Sequence, residues 1–201
     1  EELLVALTGS LADFMPLLHL APAAEAFDAS GAIDLRVRAR GSFDAPVIES
    51  TFSLDSASFT SGVLSPATNI TIRGTYADGL LALSNVEGTW EGATVTASGR
   101  MPAALLGDVL PVQYLQSLPP QDGSAHVTAR ILSINQDMLR SFVAEESLDG
   151  LAARFDATIE AEADSLDLDD VRATVTLDRA LLSLARVPLI PRSPTRLRLA
   201  R

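Results

Sequence analysis

Apolar and polar residues alternate strictly along much of the chain, which is the period of a β-strand with one face turned away from water. The clearest run places Ile33, Leu35 and Val37 on one side and Arg36 and Arg38 on the other. The alternation returns at Phe52 and Leu54, Ile70 and Ile72, Leu81 and Leu83, Val95 and Ala97, Val127 to Ile131, Phe155 to Ala161, and Val171 to Leu177. The pattern predicts about ten strands with a common apolar face.

Turn-forming residues separate the predicted strands. They are Gly41 to Pro46, Ser61 and Gly62, Asp78 and Gly79, Glu91 and Gly92, and Gln121 to Gly123. Such residues are typical of hairpin connections. No long helix recurs between the strands, which argues against a parallel β-α-β arrangement. The predicted fold class is therefore mainly β: an elongated, repetitive antiparallel sheet with a few short helices.

Short segments with helical signals interrupt the β pattern. Ser10 and Asp13 resemble a capping box, Pro102 suits the first turn of a second helix, and Asn135 is a good N-cap for a third. The predicted divisions are a helical lead-in (1–30), a first β block (31–101), a helical insertion (102–118) and a second β block (123–201) that contains a short helix (135–144). We expect the helices to plug the sheet or cover its edges, because an exposed edge recruits other strands.

Composition narrows the range of functions. Hydrophobic residues make up 47% of the 201 residues but aromatic residues only 5%, which suits a thin aliphatic layer as well as a compact core. The net charge of −11 argues against a nucleic-acid partner, because binding phosphates needs clustered cations. Cysteine is absent, and no nucleophile elbow, zinc-binding helix motif or phosphate-binding loop occurs. We therefore predict that the chain is not an enzyme and holds no metal or cofactor.

Two polar or aromatic features have competing interpretations. Arg36, Arg38 and Arg40 form a basic stripe that could meet an anionic headgroup, but a solvated outer face balanced by neighbouring acids is favoured. Trp90 stands beside a predicted hairpin and could anchor the protein at an interface. Packing of the indole over its own turn is the favoured alternative.

Neither the acidic residues nor the histidines predict a metal site. The acidic run consists of Asp164, Asp167, Asp169 and Asp170. It lacks the spacing and the distal glutamate of a calcium-binding loop, so a solvated turn is the better interpretation. The two histidines, His19 and His126, are far apart in the sequence and favour structural roles.

The segment from Gly31 to Met101 resembles the AsmA-like family, and most of all TamB. A Gly-x-aliphatic-Asp-aliphatic run opens at Gly31 and closes at Gly41, and a turn at Pro46 then leads into a new strand. The tail from Leu181 to Leu199 is also similar to the family's approach to a new layer of strands. The helical insertions depart from the family's simplest pattern.

The resemblance implies a long curved sheet, folded like a taco, with an apolar concave face. Family members are envelope proteins of Gram-negative bacteria that are anchored in the inner membrane, reach through the periplasm and are linked to phospholipid transport towards the outer membrane. TamB is linked also to outer-membrane protein assembly with a barrel partner. The resemblance therefore predicts a periplasmic location, phospholipid as ligand, an outer-membrane barrel protein as partner and a membrane anchor outside this segment.

The chain begins without methionine and stops within the strand pattern at Arg201, so we expect one elongated fragment (1–201) of a longer protein. The candidate residues for the lining of a lipid groove are Ile33, Leu35, Val37, Phe52, Leu54, Ile70, Ile72, Leu81, Leu83, Val95, Val127, Ile131, Phe155, Ile159, Val175 and Leu177. On the alternative interpretation they form the closed core of a structural or adhesive β-repeat module of a secreted or surface protein. Alternation is the same in open and closed sheets, so the sequence is compatible with both the lipid groove and the closed core.

Overall fold

The computed structural model is built on one antiparallel β-sheet, which confirms the predicted mainly β fold class. It describes residues 2–13, 27–42, 45–61, 66–108, 123–136, 138, 151–165, 170–184, 187–189 and 195–199. The strands are β1 (Glu2–Ser10), β2 (Phe27–Ser42), β3 (Ala45–Ser61), β4 (Ala67–Ala77), β5 (Leu80–Trp90), β6 (Ala93–Pro102), β7 (Ala125–Asn135), β8 (Leu151–Ala163), β9 (Val171–Leu184), β10 (Val187–Leu189) and β11 (Thr195–Leu199).

The strands follow one another across the sheet in their order along the chain. At its far side β10 pairs with one end of β9, from Leu182 to Leu184, and β11 pairs with the other, from Ala173 to Leu177. Within the described residues β1 and the last strands do not pair with each other, so the sheet is not closed.

Strand register fixes which residues share a side of the sheet. Leu35 of β2 lies opposite Leu7 of β1 and opposite Phe52 of β3, and opposed residues in an antiparallel pair point to the same side. We call the side that carries Leu35 the apolar face and the side that carries Arg36 the polar face. Each strand contributes alternate residues to the two faces.

β-Bulges keep the two faces in phase along the longer strands. Ser56, Asn69 and Ser133 have positive φ angles of 52°, 53° and 62°, and each lies at a register shift. The bulge at Ser56 allows both Leu54 and Ala57 to reach the apolar face, although they are three positions apart. Bulges also bend a strand and increase its twist, so they favour a curved sheet.

Two of the predicted turns have the geometry that tight hairpins prefer. Asp78 and Gly79 have φ angles of 50° and 75°, and Glu91 and Gly92 have 49° and 76°. Positive φ at both central residues is the signature of a type I′ turn, whose twist matches that of the flanking strands. The predicted connections at these two positions are confirmed.

The prediction of a helical lead-in over 1–30 is wrong at both ends. Residues Glu2–Ser10 form β1, and β2 already begins at Phe27. Leucine and alanine favour helices in isolation, but every residue of β1 pairs with β2, and this pairing outweighs local propensity. Helical residues do follow Ser10, at 11–13; the rest of that predicted helix lies outside the described residues.

The other helical predictions are partly met. Pro102 ends β6, and a 3-10 helix, Ala103–Asp108, follows it in place of an α-helix. The Ala103 nitrogen, at the start of this helix, donates a hydrogen bond of 2.8 Å to the Gly79 carbonyl oxygen. Asn135 caps the next segment as predicted, because its Oδ1 accepts a hydrogen bond of 3.0 Å from the Met138 nitrogen. The remainders of both segments lie outside the described residues.

Burial in the described part of the chain is shallow. The buried hydrophobic residues are mostly alanines, namely Ala29, Ala57, Ala93, Ala103, Ala125, Ala153, Ala157 and Ala163, with Leu54, Ile134 and Met138 beside them. No large side chain there is fully buried. The other large aliphatic residues of the described part are half-buried or exposed, as expected for a single sheet with an incompletely covered apolar face.

Candidate functional site

The register places every predicted lining residue on the apolar face. They are Ile33, Leu35 and Val37 on β2, Phe52 and Leu54 on β3, Ile70 and Ile72 on β4, Leu81 and Leu83 on β5, Val95 on β6, Val127 and Ile131 on β7, Phe155 and Ile159 on β8, and Val175 and Leu177 on β9. These side chains form one aliphatic surface that crosses eight adjacent strands. The structure therefore brings the whole candidate set together.

The same face includes residues that sequence reasoning missed. Leu3, Val5 and Leu7 extend it onto β1, where they lie opposite the apolar residues of β2. Their alternation was hidden because every residue from Leu3 to Leu7 is apolar. Val86 was missed because a bulge in β5 changes the phase of the pattern after Leu83.

Glycines on the apolar face lie beneath large side chains of neighbouring strands. A Cβ added to Gly74 would lie 2.8 Å from Phe52 Cε1 and 2.7 Å from the Ala82 carbonyl oxygen. A Cβ on Gly88 would lie 2.8 Å from Ile70 Cγ1. The ring and the isoleucine therefore lie across the backbone of the next strand, where only glycine leaves room for them.

This packing keeps the aliphatic layer thin. At Gly99 a Cβ would lie 2.7 Å from the His126 carbonyl oxygen and 3.1 Å from Val127 Cγ2, so the neighbouring strand also approaches closely there. A side chain that folds down onto the sheet does not project from it. The glycines thus leave space above the apolar face that upright side chains would otherwise fill.

A hollow on the apolar face shows that the sheet is concave there. Its volume is about 200 Å³ and its lining includes Leu81 and Leu83 of β5, Met101 of β6, Val127 of β7 and Val171 of β9. On a flat sheet β5 and β9 would be about 19 Å apart, too far to line one hollow of this size unless the sheet curls. Apolar cavities of about 150 Å³ are large enough for benzene, so this hollow has room for part of a hydrocarbon chain.

The opposite end of the apolar face is covered. Ala93, Ile134, Met138 and Ala157 form a buried cluster, against which Trp90 packs. Met138 follows β7, and its backbone nitrogen donates to the Asn135 cap, so this one side chain lies over the sheet at this end. The favoured interpretation had Trp90 packing over its own turn; it packs against this wider cluster, which includes Ala93 just beyond that turn. Among the described residues, the apolar face is covered at this end and open at the other.

The basic stripe lies on the polar face and its charges are paired. The arginine–acid contacts are Arg36 Nε to Asp34 Oδ1 at 3.2 Å, Arg38 Nε to Glu2 Oε1 at 3.0 Å and Arg40 Nη2 to Glu49 Oε2 at 2.6 Å. All of these side chains are exposed by at least a third. The stripe is therefore a solvated outer face, separated by the sheet from the aliphatic surface.

A second polar feature surrounds His126. Ser124 Oγ lies 3.0 Å from His126 Nε2 and donates a hydrogen bond of 2.8 Å to Glu162 Oε1. A hydrolytic triad needs the histidine to accept the hydroxyl proton while the acid holds its other nitrogen. Here the serine proton goes to the carboxylate, and the imidazole nitrogen that is 3.9 Å from Glu162 is the same one that faces Ser124. The trio is a surface hydrogen-bond network between β7 and β8.

The described residues contain no cluster of three or more side chains able to bind a metal ion. Asp164 pairs with Arg172 at 2.5 Å, and Asp170 accepts a hydrogen bond of 2.6 Å from Ser165. The other predicted acidic residues, Asp167 and Asp169, and also His19, lie outside the described residues.

Among the helices in the described ranges, none has the length and apolar character needed to cross a membrane.

Comparison with known proteins yields no match: the chain fits no protein-family model and is not detectably similar to any curated protein or solved structure. The resemblance of Gly31 to Met101 to the AsmA-like family therefore stays a prediction.

Proposed function

We propose that this chain is a non-catalytic segment that shelters phospholipid acyl chains along its apolar face. The observation that carries the proposal is the continuous aliphatic surface on the concave side of a sheet that is not closed. The resemblance to AsmA-like proteins supplies the setting: transport through the periplasm between the inner and outer membranes, by a protein anchored outside this segment. A role in outer-membrane protein assembly with a barrel partner belongs to the same proposal.

The shape of the surface suits a sliding chain better than a fixed ligand. Removing apolar area from water is worth about 25 cal/mol per Å², and each strand adds a row of aliphatic side chains about 4.8 Å from the last. The nine strands that carry the surface, β1 to β9, then give a path of roughly 40 Å. Polar groups such as Ser50 and Tyr76 are rare along it, so few points on the path favour stopping.

Charge placement predicts weak selectivity for the headgroup. The basic stripe of Arg36, Arg38 and Arg40 faces away from the groove. Each of its arginines contacts a carboxylate. The groove itself presents hydrocarbon and glycine backbone. Recognition by such a surface depends on the acyl chain.

The test is native mass spectrometry, with lipid extraction, of the chain purified from bacterial membranes. We expect phospholipid to co-purify with the wild-type chain and to fall at least about fivefold in Val127→Asp, because an acyl chain lying in the hollow would bury the new carboxylate, which costs several kcal/mol. Val127 is 43% exposed, so this variant should fold. Ser98→Asp, on the polar face of the adjacent strand, is the matched control and should retain lipid.

A second pair of variants tests another part of the groove. Ile72→Asp should lose lipid, and Thr75→Asp, on the polar face of the same strand, should not. Circular dichroism checks that each variant keeps its β structure. A monodisperse wild-type protein without lipid would contradict the proposal and favour the structural or adhesive module.

A further inference from the structure

Two hydroxyl groups interrupt the aliphatic surface at one level of the sheet. Ser50 of β3 lies opposite Tyr76 of β4. Val37 of β2 is opposed to Ser50, and Leu81 of β5 is opposed to Tyr76. The hydroxyl pair is therefore on the apolar face. Both residues are half-buried, and they place hydrogen-bond donors on a surface that is otherwise mainly aliphatic.

The hollow lies in line with the hydroxyl pair across the strands. Tyr76 is opposed by Leu81, and Leu81 by Met101. The same level continues over the next three strands with Ala125, Ala163 and Val171. Every residue of this level from Leu81 onwards lines the hollow. The hydroxyl pair thus stands at the side of the hollow that faces β4, about 4.8 Å from its first strand.

A hydrocarbon chain that lay over the hydroxyl pair would strip it of water. A covered hydroxyl without a hydrogen-bond partner costs free energy, whereas a ligand oxygen that accepts a hydrogen bond offsets this cost. Serine and tyrosine hydroxyls each donate one hydrogen bond and accept others, so a contact of Tyr76 within the protein leaves capacity for a ligand. In an acyl ester such an acceptor, the carbonyl oxygen, stands where the hydrocarbon chain begins.

We propose that Ser50 and Tyr76 bind the ester carbonyl of an acyl-ester lipid whose chain runs from there into the hollow, towards β9. This rests on the proposed acyl-chain groove and adds to it a preferred resting position and a direction. The headgroup takes no part in the contact, in agreement with the position of the basic stripe on the other face. An ether-linked chain of the same length fills the hollow equally well but offers the hydroxyl pair no carbonyl.

A 1-acyl lysophosphatidylcholine and its 1-alkyl ether counterpart of equal chain length test the carbonyl contact. Titrated below the micelle concentration, the wild-type chain should bind the ester about tenfold more tightly than the ether. The double variant Ser50→Ala, Tyr76→Phe keeps the aromatic ring and should bind the two lipids within about twofold of each other. The matched control is Thr51→Ala with Thr75→Val, an opposed hydroxyl pair on the polar face of the same strands, and it should keep the preference.

A photoreactive group at the far end of the acyl chain tests the direction. Bound to the wild-type chain, this lysophosphatidylcholine should label β5 to β9, around Met101 and Val127, more strongly than β1 and β2. Equal affinity of the wild-type chain for ester and ether overturns the carbonyl contact without any variant, and the groove itself stands if Val127→Asp still weakens both lipids. Labelling mainly of β1 and β2 also overturns the proposal. Binding of neither lipid overturns it together with the proposed function.

Discussion

At the scale of single residues, the glycines of the apolar face determine how far the neighbouring side chains project from the sheet. Gly88 tests this, because only Ile70 would obstruct a Cβ there closely. We expect Gly88→Ala to lower the free energy of unfolding by about 1 to 2 kcal/mol through overpacking. In an Ile70→Ala background the same change should be neutral or stabilising, because alanine suits a strand better than glycine does.

Urea denaturation of the two single variants and the double variant measures the coupling. Additive effects would contradict the proposed packing of Ile70 across Gly88. This contact could not be predicted from the sequence. Nothing around Gly88 in the sequence marks its partner, and only the register of β4 with β5 brings it beneath Ile70.

At the scale of elements, polar side chains support the bulges that keep the strands in phase. The bulge in β7 turns the Ser133 amide out of the ladder, and Asp156 Oδ1 accepts its hydrogen bond at 2.9 Å. Losing the partner of a half-buried amide costs about 1 to 3 kcal/mol. We expect Asp156→Ala to lower the free energy of unfolding by that amount and Asp156→Asn, which keeps a carbonyl oxygen, by less.

Glu160→Ala is the control for this prediction. It removes an exposed acid from the same face of the same strand, so its effect should stay within about 0.5 kcal/mol. Equal losses in Asp156→Ala and Glu160→Ala, in thermal or urea denaturation, would show that the carboxylate does not support the bulge.

The strands from β2 to β9 were largely predictable because alternation marks each of them, and two of their turns carry glycine where φ must be positive. The bulges were missed, although they leave a trace: the apolar residues change parity from Leu83 to Val86 and from Ile131 to Ile134. If one face is to stay apolar, such a change requires an extra residue. β1 was missed for a different reason, since an unbroken apolar run shows no period.

At the scale of the whole molecule, the candidate groove could be predicted as a set of residues but not as a shape. Alternation assigns Leu35 and Ile159 to one face, yet it is identical for a closed core and for an open sheet. Whether the sheet closes depends on contacts between residues far apart in the chain. The alternative function, a structural or adhesive module, was expected to have a closed core, and the sheet is open with a shallow core. Lipid binding stays a proposal.

An aliphatic groove without headgroup contacts has a measurable signature in its ligand preferences. Each methylene moved from water into an apolar site contributes up to about 0.8 kcal/mol, so lengthening a single-chain phospholipid should tighten its Kd by roughly two- to fourfold per methylene. Exchanging a zwitterionic for an anionic headgroup should change the Kd by less than about threefold, because Arg36, Arg38 and Arg40 lie on the polar face. Titration of the wild-type chain with a homologous series, below the micelle concentration, measures both dependences. Strong headgroup preference with no dependence on chain length would place binding on the polar face instead, and Val127→Asp would then leave the affinity unchanged.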